Sequence, residues 1–152
     1  FGHPEWIDFP REGNGWSYHY ARRQWSLADN PRLRYGRLRN FERAILHEAT
    51  AGKWLHYPLE HIWQDEQRKI LIFKRGRYIF ALNFNPLCSF SDFCFEAPAG
   101  KYRWVLDTDQ RLFDGFDRVE AGGFYFTHLQ DQKNYLSIYL PSRTAVVLKM
   151  ED

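Results

Sequence analysis

The sequence predicts a mainly β protein, in which an antiparallel β-sandwich follows a loop and one helix. Three observations lead to this prediction: period-two hydrophobicity after about residue 61, turn residues between the alternating segments, and one earlier stretch of helical periodicity. Half-buried strands alternate apolar and polar residues, whereas an amphipathic helix repeats its apolar residues every three or four positions. We therefore divide the chain into residues 1–55, with the loop and helix, and residues 56–152, an all-β domain.

Six strands can be placed from the alternation. They are predicted at residues 69–74, 78–84, 92–96, 101–106, 134–140 and 143–149. Turn residues separate the members of three pairs, at 75–77, 97–100 and 141–142. Short strands joined by such turns are typical of an antiparallel sandwich. The long segment 107–123 is rich in polar residues and is predicted to be a loop.

One helix is predicted after Asn30, which suits an N-cap, with Pro31 at the first helical position and Gly52 as the C-cap. Its apolar stripe consists of Leu38, Phe41, Ile45 and Ala49. Its arginines fall mostly outside the stripe and are expected to face solvent. An apolar stripe has to be buried against another element. The sandwich could supply that surface, and so could a part of a protein that this chain does not contain.

The first 28 residues or so are irregular and combine aromatic rings with carboxylates. Glu5, Asp8 and Glu12 lie close in sequence to several tryptophan and phenylalanine residues. Carboxylates beside aromatic rings are the chemistry of sugar sites, where rings stack on sugars and carboxyls serve as acids, bases or nucleophiles. The acids could instead pair with arginines at positions 11, 22 and 23 or face water. This second interpretation is favoured over catalysis, and a sugar-contacting role stays open.

Composition excludes several classes of function. The net charge of +2 is mild, so neither a nucleic-acid partner nor a membrane partner is predicted. No apolar run has the length of a transmembrane helix. Cys88 and Cys94 do not form a disulfide framework, which favours a reducing compartment and a cytoplasmic protein. Because they lie in or beside predicted strands, we expect both cysteines to be small core residues.

Metal sites and nucleophiles are not indicated by the usual motifs. The sequence has no His-Glu-x-x-His set, no Cys-x-x-Cys pair and no Gly-x-Ser-x-Gly elbow. Asp107, Asp109, Asp114 and Asp117 make the 107–123 loop acidic, but their spacing does not fit a helix-loop-helix calcium site. We expect a solvated loop here, with no metal and no cofactor.

Several segments resemble glycogen and starch branching enzymes, which belong to the α-amylase superfamily. The most specific is the motif that follows the last barrel strand in that family, here Phe1-Gly2-His3-Pro4-Glu5-Trp6-Ile7-Asp8-Phe9-Pro10-Arg11. The resemblance continues through residues 15–18, 21–27, 84–86, 102–107 and 139–145, and so covers nearly the whole chain. One departure is Asp114-Gly115, where relatives often carry a glycine pair.

The resemblance implies a fold and a partner. Residues 1 to about 50 would be the loop and helix that close a (β/α)₈ barrel, and the rest an α-amylase-type C-terminal domain. The remainder of the barrel, absent from this chain, would then cover the apolar stripe of the helix. The partners implied are an α-1,4-glucan such as glycogen and the N-terminal, catalytic part of the protein itself.

The resemblance also implies a reaction. Branching enzymes transfer an α-1,4-glucan segment to a 6-hydroxyl and thereby form α-1,6 branches, with a carboxylate nucleophile and retention of configuration. The family's catalytic carboxylates lie upstream of the opening motif, so none is assigned here. His3, Glu5, Trp6 and Asp8 match the motif and are candidates for the rim of the glucan site. The alternatives are an independent glucan-binding module or the tail of another enzyme of the superfamily.

Overall fold

A computed structural model describes residues 8–19, 21, 25–120 and 122–152, and for His61 the backbone only. Within these residues there are nine strands and one α-helix. The helix α1 is Tyr35–Gly52. The strands are β1 Glu60–Asp65, β2 Ile70–Arg75, β3 Tyr78–Asn83, β4 Phe90–Glu96, β5 Lys101–Asp107, β6 Phe124–Phe126, β7 His128–Gln130, β8 Lys133–Leu140 and β9 Thr144–Met150.

The strands form two antiparallel sheets. One sheet has six strands in the order β1-β2-β3-β9-β5-β6, and the other has three in the order β4-β8-β7. The mainly β fold is therefore confirmed. Each of the six predicted strands corresponds to an observed strand, with small shifts at the ends. The sequence did not place β1, β6 and β7 individually, because their short alternation is weaker than that of the central strands.

The main core lies between the two sheets. Its most deeply buried aliphatic residues include Ile72 and Ile79 from the six-stranded sheet and Leu136 and Ile138 from the three-stranded sheet. These residues alternate with outward-facing neighbours because successive side chains of a strand point to opposite faces. Each such side chain contributes about 1.5–3 kcal/mol by leaving water.

A second core lies on the outer face of the six-stranded sheet, where α1 packs. Its buried residues are Trp54, Tyr78, Leu106 and Val147, and Phe41, Ile45 and Ala49 of the helical stripe pack against them. Trp54 meets the ring of Tyr78 edge-on, with ring centroids 5.0 Å apart. The stripe therefore packs on the sandwich, and its residues are partly buried there. Of the two partners that the sequence left open, the structure therefore shows the sandwich, and packing against the rest of a barrel stays a prediction.

Both ends of the helix differ from the sequence prediction. The Asn30 side chain accepts a hydrogen bond from the amide of Arg32 at 3.0 Å, which forms a turn before the helix instead of an N-cap. The helix begins at Tyr35, which is buried. At the other end Gly52 is the last helical residue, and Lys53 takes the left-handed conformation with φ 50°. Gly52 is needed for space, because a Cβ there would overlap the ring of Tyr78.

The 107–123 segment is not simply a solvated loop. Asp107 and Asp109 are only 2% and 3% exposed, whereas Asp114 and Asp117 face solvent. Asp107 lies at the end of β5, where its carboxylate accepts a hydrogen bond from the Trp104 indole at 2.8 Å. The prediction was wrong for the two buried acids, because internal hydrogen-bond donors replace the water that a carboxylate otherwise requires.

The expectation that both cysteines belong to the core was also wrong. Cys88 and Cys94 are exposed and carry free thiols. On β4 the inward positions are held by Phe93 and Phe95, so the period of two turns Cys94 outward. Among the described residues, no helix is long and apolar enough to cross a membrane.

Candidate functional site

Of the four predicted rim residues, the structure describes Asp8; His3, Glu5 and Trp6 lie outside the described residues. The Asp8 carboxylate accepts hydrogen bonds from Arg11 Nε at 3.0 Å and Arg11 Nη2 at 3.2 Å. Asn14 Nδ2 donates to the same carboxylate at 3.1 Å. Asp8 is thus paired with Arg11, which is one of the two interpretations that the sequence left open for the acids of this segment.

The loop around Asp8 is closed by its own hydrogen bonds. Asn14 Nδ2 also donates to the carbonyl of Phe9 at 3.0 Å, and its Oδ1 accepts from the Arg11 amide at 2.9 Å. The amide of Trp16 donates to the Arg11 carbonyl at 2.9 Å. Gly15 and Trp16 both have positive φ, which reverses the chain within a few residues. Asp8 therefore sits in a small loop whose shape its neighbours fix.

The charge of Asp8 follows from these contacts. Hydrogen bonds from Arg11 and then from Asn14 hold the pKa of the Asp8 carboxyl below its usual value. Asp8 is therefore an ionised hydrogen-bond acceptor at neutral pH. A general acid has to carry a proton near the working pH, so this carboxylate is unsuited to proton donation. Arg11 and Asn14 use both lone pairs of Oδ2 and one of Oδ1, so one lone pair of Oδ1 is left for a sugar hydroxyl.

Exposed aromatic side chains lie within this loop and shortly after it in the sequence. Phe9 is 70% exposed, Trp16 65% and Trp25 70%. Large apolar side chains at such exposure leave their ring faces accessible to a ligand or to another protein surface. Sugar rings present apolar faces that stack on aromatic side chains, so these residues fit the chemistry that the sequence indicated.

The segment Trp25–Asp29, which begins with one of these rings, packs against α1. Residues Trp25–Asp29 form a short 3₁₀ helix in which Ala28 is buried. The carboxylate of Asp29 contacts Arg39 Nη1 of α1 at 2.8 Å. A Cβ at Gly36 would lie 3.2 Å from the Ala28 carbonyl oxygen, so the short helix and α1 approach closely there. The position of the segment is thereby coupled to that of α1.

The 107–123 segment in turn holds the N-terminal half of α1. Arg34 and Asp114 form an ion pair at 3.3 Å. The rings of Phe41 and Phe113 meet edge-on, with centroids 5.4 Å apart. Contacts therefore connect the segment Trp25–Asp29 to α1, and α1 to the 107–123 segment of the sandwich.

Asp109 and Arg118 close the base of this loop. Arg118 Nη2 donates to Asp109 Oδ1 at 2.7 Å, and Arg118 Nε donates to Oδ2 at 3.0 Å. The same guanidinium donates to the carbonyl of Ser142 at 3.0 Å, which joins the loop to the turn between β8 and β9. Burial alone would raise the pKa of Asp109, but the hydrogen bonds from the side chain and backbone of Arg118 outweigh it and lower the pKa.

Two residues in the loop explain its backbone shape. Asp114 has φ 75°, in the left-handed region that glycine adopts more readily, so the backbone here would suit the glycine that relatives often carry. A Cβ at Gly115 would overlap the backbone of Asp109.

Sequence reasoning missed Arg118 entirely, because no motif or period connects it to a carboxylate nine positions earlier. Within the described residues no three His, Cys, Asp or Glu side chains cluster as metal ligands.

The β-sandwich belongs to a recognised class of domain. Residues 62–151 match the family described as alpha amylase, C-terminal all-beta domain. The match covers more than half of the chain, and the chain therefore belongs to this family.

More specific similarity extends over the whole chain. It is 44% identical over 157 aligned positions to a 1,4-alpha-glucan-branching enzyme of Dictyostelium discoideum, covering 100% of this chain and 23% of that protein. Corresponding proteins of Emericella nidulans and Saccharomyces cerevisiae are 43% and 41% identical, again over 100% of this chain, which covers 23% and 22% of them. The resemblance to branching enzymes is confirmed. The chain spans less than a quarter of the length of these relatives.

Proposed function

We propose that this chain is the C-terminal portion of a glycogen branching enzyme, which transfers an α-1,4-glucan segment to a 6-hydroxyl and forms an α-1,6 branch. The observation that carries the proposal is the similarity to 1,4-alpha-glucan-branching enzymes across the entire chain, including the part before the family match at residue 62. The bond-making carboxylates would lie in the part of the protein upstream of these residues. The chain by itself would then be inactive in glycogen biosynthesis.

In this proposal the opening segment forms part of the rim of the glucan site. Asp8 would accept a hydrogen bond from a sugar hydroxyl, since Arg11 keeps it ionised and in place. His3, Glu5 and Trp6 would contribute to the same rim. No bond-making role is assigned to any of the four. Their chemistry supports substrate orientation, in which binding groups raise the rate by holding the reacting atoms in place.

The partner of the chain would be the catalytic part of the same protein. Residues 1–55 would complete its barrel and residues 56–152 would form the sandwich domain. The side of α1 turned away from the sandwich supports this arrangement, because it presents an open face with Arg39, Arg43, Leu46 and His47. Leu46 is exposed on that face, and burial against another part of the protein would remove its apolar surface from water.

The proposed location is the cytoplasm. Cys88 and Cys94 support it, because both carry free, exposed thiols. Such thiols persist in a reducing compartment and oxidise readily elsewhere.

A chimeric enzyme tests the proposed function. The aligned segment of the Dictyostelium discoideum relative is replaced by this chain, and branching of amylose is followed by the loss of iodine absorbance and by the chain lengths released on debranching. We expect the chimera to be active and the same protein lacking the segment to be inactive. A folded chimera that hydrolyses amylose or leaves it unchanged would refute the proposal.

The rim assignment is tested by variants of the chimera. Asp8→Asn should raise KM for amylose, because a neutral amide is a weaker acceptor than the carboxylate that Arg11 orients. Glu12→Gln is the matched control, since Glu12 is an exposed acid of the same loop. Equal KM values for the two variants would remove Asp8 from the rim.

A further inference from the structure

An open cleft lies between the edges of the two sheets. It has a volume of about 530 Å³, within the usual range for small-ligand sites. One wall comes from β1 and β2 of the six-stranded sheet, and the other comes from the end of β4 and the start of β8. We call it the cross-sheet cleft. Asp8, the proposed rim residue that the structure describes, does not line it.

Each wall carries one ion pair. On the six-stranded sheet Lys74 Nζ contacts Glu60 Oε2 at 2.7 Å, and these residues are cross-strand partners in the register of β1 and β2. On the other sheet Lys133 Nζ contacts Glu96 Oε2 at 2.8 Å. The two lysines and two glutamates sum to zero charge. The Glu60 and Glu96 side chains are 49% and 55% exposed, so their remaining lone pairs are accessible to a ligand.

The rest of the lining adds amide groups and a small apolar floor. Gln132 and Asn134 line the cleft, and neither side chain makes a hydrogen bond to the part of the chain that the structure describes. The Asn134 backbone is fixed, because its carbonyl accepts from the Ala97 amide at 3.0 Å. Ala97 is buried, and with Ile62 and Pro98 it provides the apolar part of the lining.

We propose that the cross-sheet cleft binds a short segment of α-1,4-glucan, with sugar hydroxyls held between its two ion pairs. This inference rests on the proposed function for the choice of glucan. The lining offers carboxylates and amide oxygens as acceptors together with ammonium and amide groups as donors. A sugar hydroxyl both donates and accepts, so a row of hydroxyls can satisfy such a mixed lining.

Other ligand classes fit the cleft less well. An anion would face two carboxylates and a cation two ammonium groups, and like charges at such distances raise the free energy of the bound state. A peptide could add to β1, which is an edge strand, but strand addition relies on main-chain hydrogen bonds and leaves the two ion pairs unused. A neutral polyhydroxylated ligand is the class that uses every group described above.

Titration of the 152-residue chain with maltoheptaose tests the proposal by ¹⁵N-resolved NMR. We expect shifts of the amide signals of residues 96–98 and 132–134, and no comparable shifts with cellohexaose, whose β-linkages give a different chain shape. The variant Glu60→Ala/Asn134→Ala should weaken maltoheptaose binding at the cleft about tenfold or more, as the loss of two ligand hydrogen bonds predicts.

Arg103→Ala is the matched control, because it removes an ion pair of similar geometry, 2.7 Å to Glu151, that does not line the cleft. It should bind as the unchanged chain does, and a dispersed spectrum shows that each variant is folded. The proposal is overturned by absent cleft shifts at millimolar maltoheptaose, by equal binding of variant and control, or by shifts confined to residues 8–19. Preference for a strand-forming peptide over maltoheptaose would also overturn it.

The two proposals can fail independently. An active chimera whose cleft variant binds maltoheptaose unchanged would overturn the cleft and leave the branching function standing. Conversely, an inactive chimera together with maltoheptaose shifts in the cleft would overturn the branching function. The chain would then be a glucan-binding module.

Discussion

Replacing Arg118 by methionine should destabilise the protein through the carboxylate that it leaves behind. Asp109 is 3% exposed and loses its three contacts with the Arg118 side chain. Methionine keeps much of the length and apolar volume of the side chain but none of its donors. The perturbation therefore removes charge and hydrogen bonds with little change in packing.

The size of the effect follows from burial. Removing one partner of a buried ion pair costs about 3–5 kcal/mol. The backbone amides of Arg118 and Phe116 still donate to Asp109, at 2.8 and 3.4 Å, so the lower end applies. We expect a loss of about 3 kcal/mol in the free energy of unfolding at pH 7, which for a protein of this size lowers the Tm by about 9 °C.

Urea unfolding followed by tryptophan fluorescence measures this loss. The control Arg103→Met breaks a more exposed ion pair and should cost less than about 1 kcal/mol. The double variant Asp109→Asn/Arg118→Met should recover roughly half of the loss, because no unpaired charge remains buried. If Arg118→Met costs no more than Arg103→Met, the loop does not depend on this ion pair and the reasoning is refuted.

Three further predictions follow from the structure. Gly115→Ala should cost about 2–3 kcal/mol in urea unfolding, because its Cβ would meet backbone, whereas Gly123→Ala, whose Cβ would stay 3.6 Å from its nearest neighbour, should cost less than about 1 kcal/mol. Burial raises the pKa of Tyr102 to about 12, so the stability that it contributes should be lost as pH rises from about 10 to 12, and Tyr102→Phe should flatten the pH dependence of unfolding there. Cys88 and Cys94 should both react with Ellman's reagent in the folded protein, and protection of either thiol would contradict its exposed position.

The parts of the fold that could be predicted from the sequence are those with a strong hydrophobic period. The strands with a strong period of two, such as β2 and β3, were placed closely, because burial of one sheet face imposes that period on the sequence. The start of α1 was misplaced by the Asn30-Pro31 signal. Asn30 and Pro31 suit a turn as well as a helix cap, and in the structure Asn30 forms the turn while the helix begins at Tyr35.

The candidate site was predictable where a local motif carried it. The acids and rings near Asp8 were found from their residue types, and Arg11 was among the partners considered. The roles of Asp109 and Arg118 were missed, because the Arg118 side chain donates its hydrogen bonds to residues nine to twenty-six positions away. The cross-sheet cleft was also missed, since it brings together residues from four strands.

The sequence alone determined the all-β class, the amphipathic helix and the similarity to branching enzymes, because composition, periodicity and motif are local properties of the chain. The tertiary structure decided which surface covers the helix, which acids are buried, and that two ion pairs from different sheets share one cleft. Those outcomes depend on strand order and on contacts between residues far apart in sequence. The alternation of side chains along a strand does not specify which other strands lie beside it.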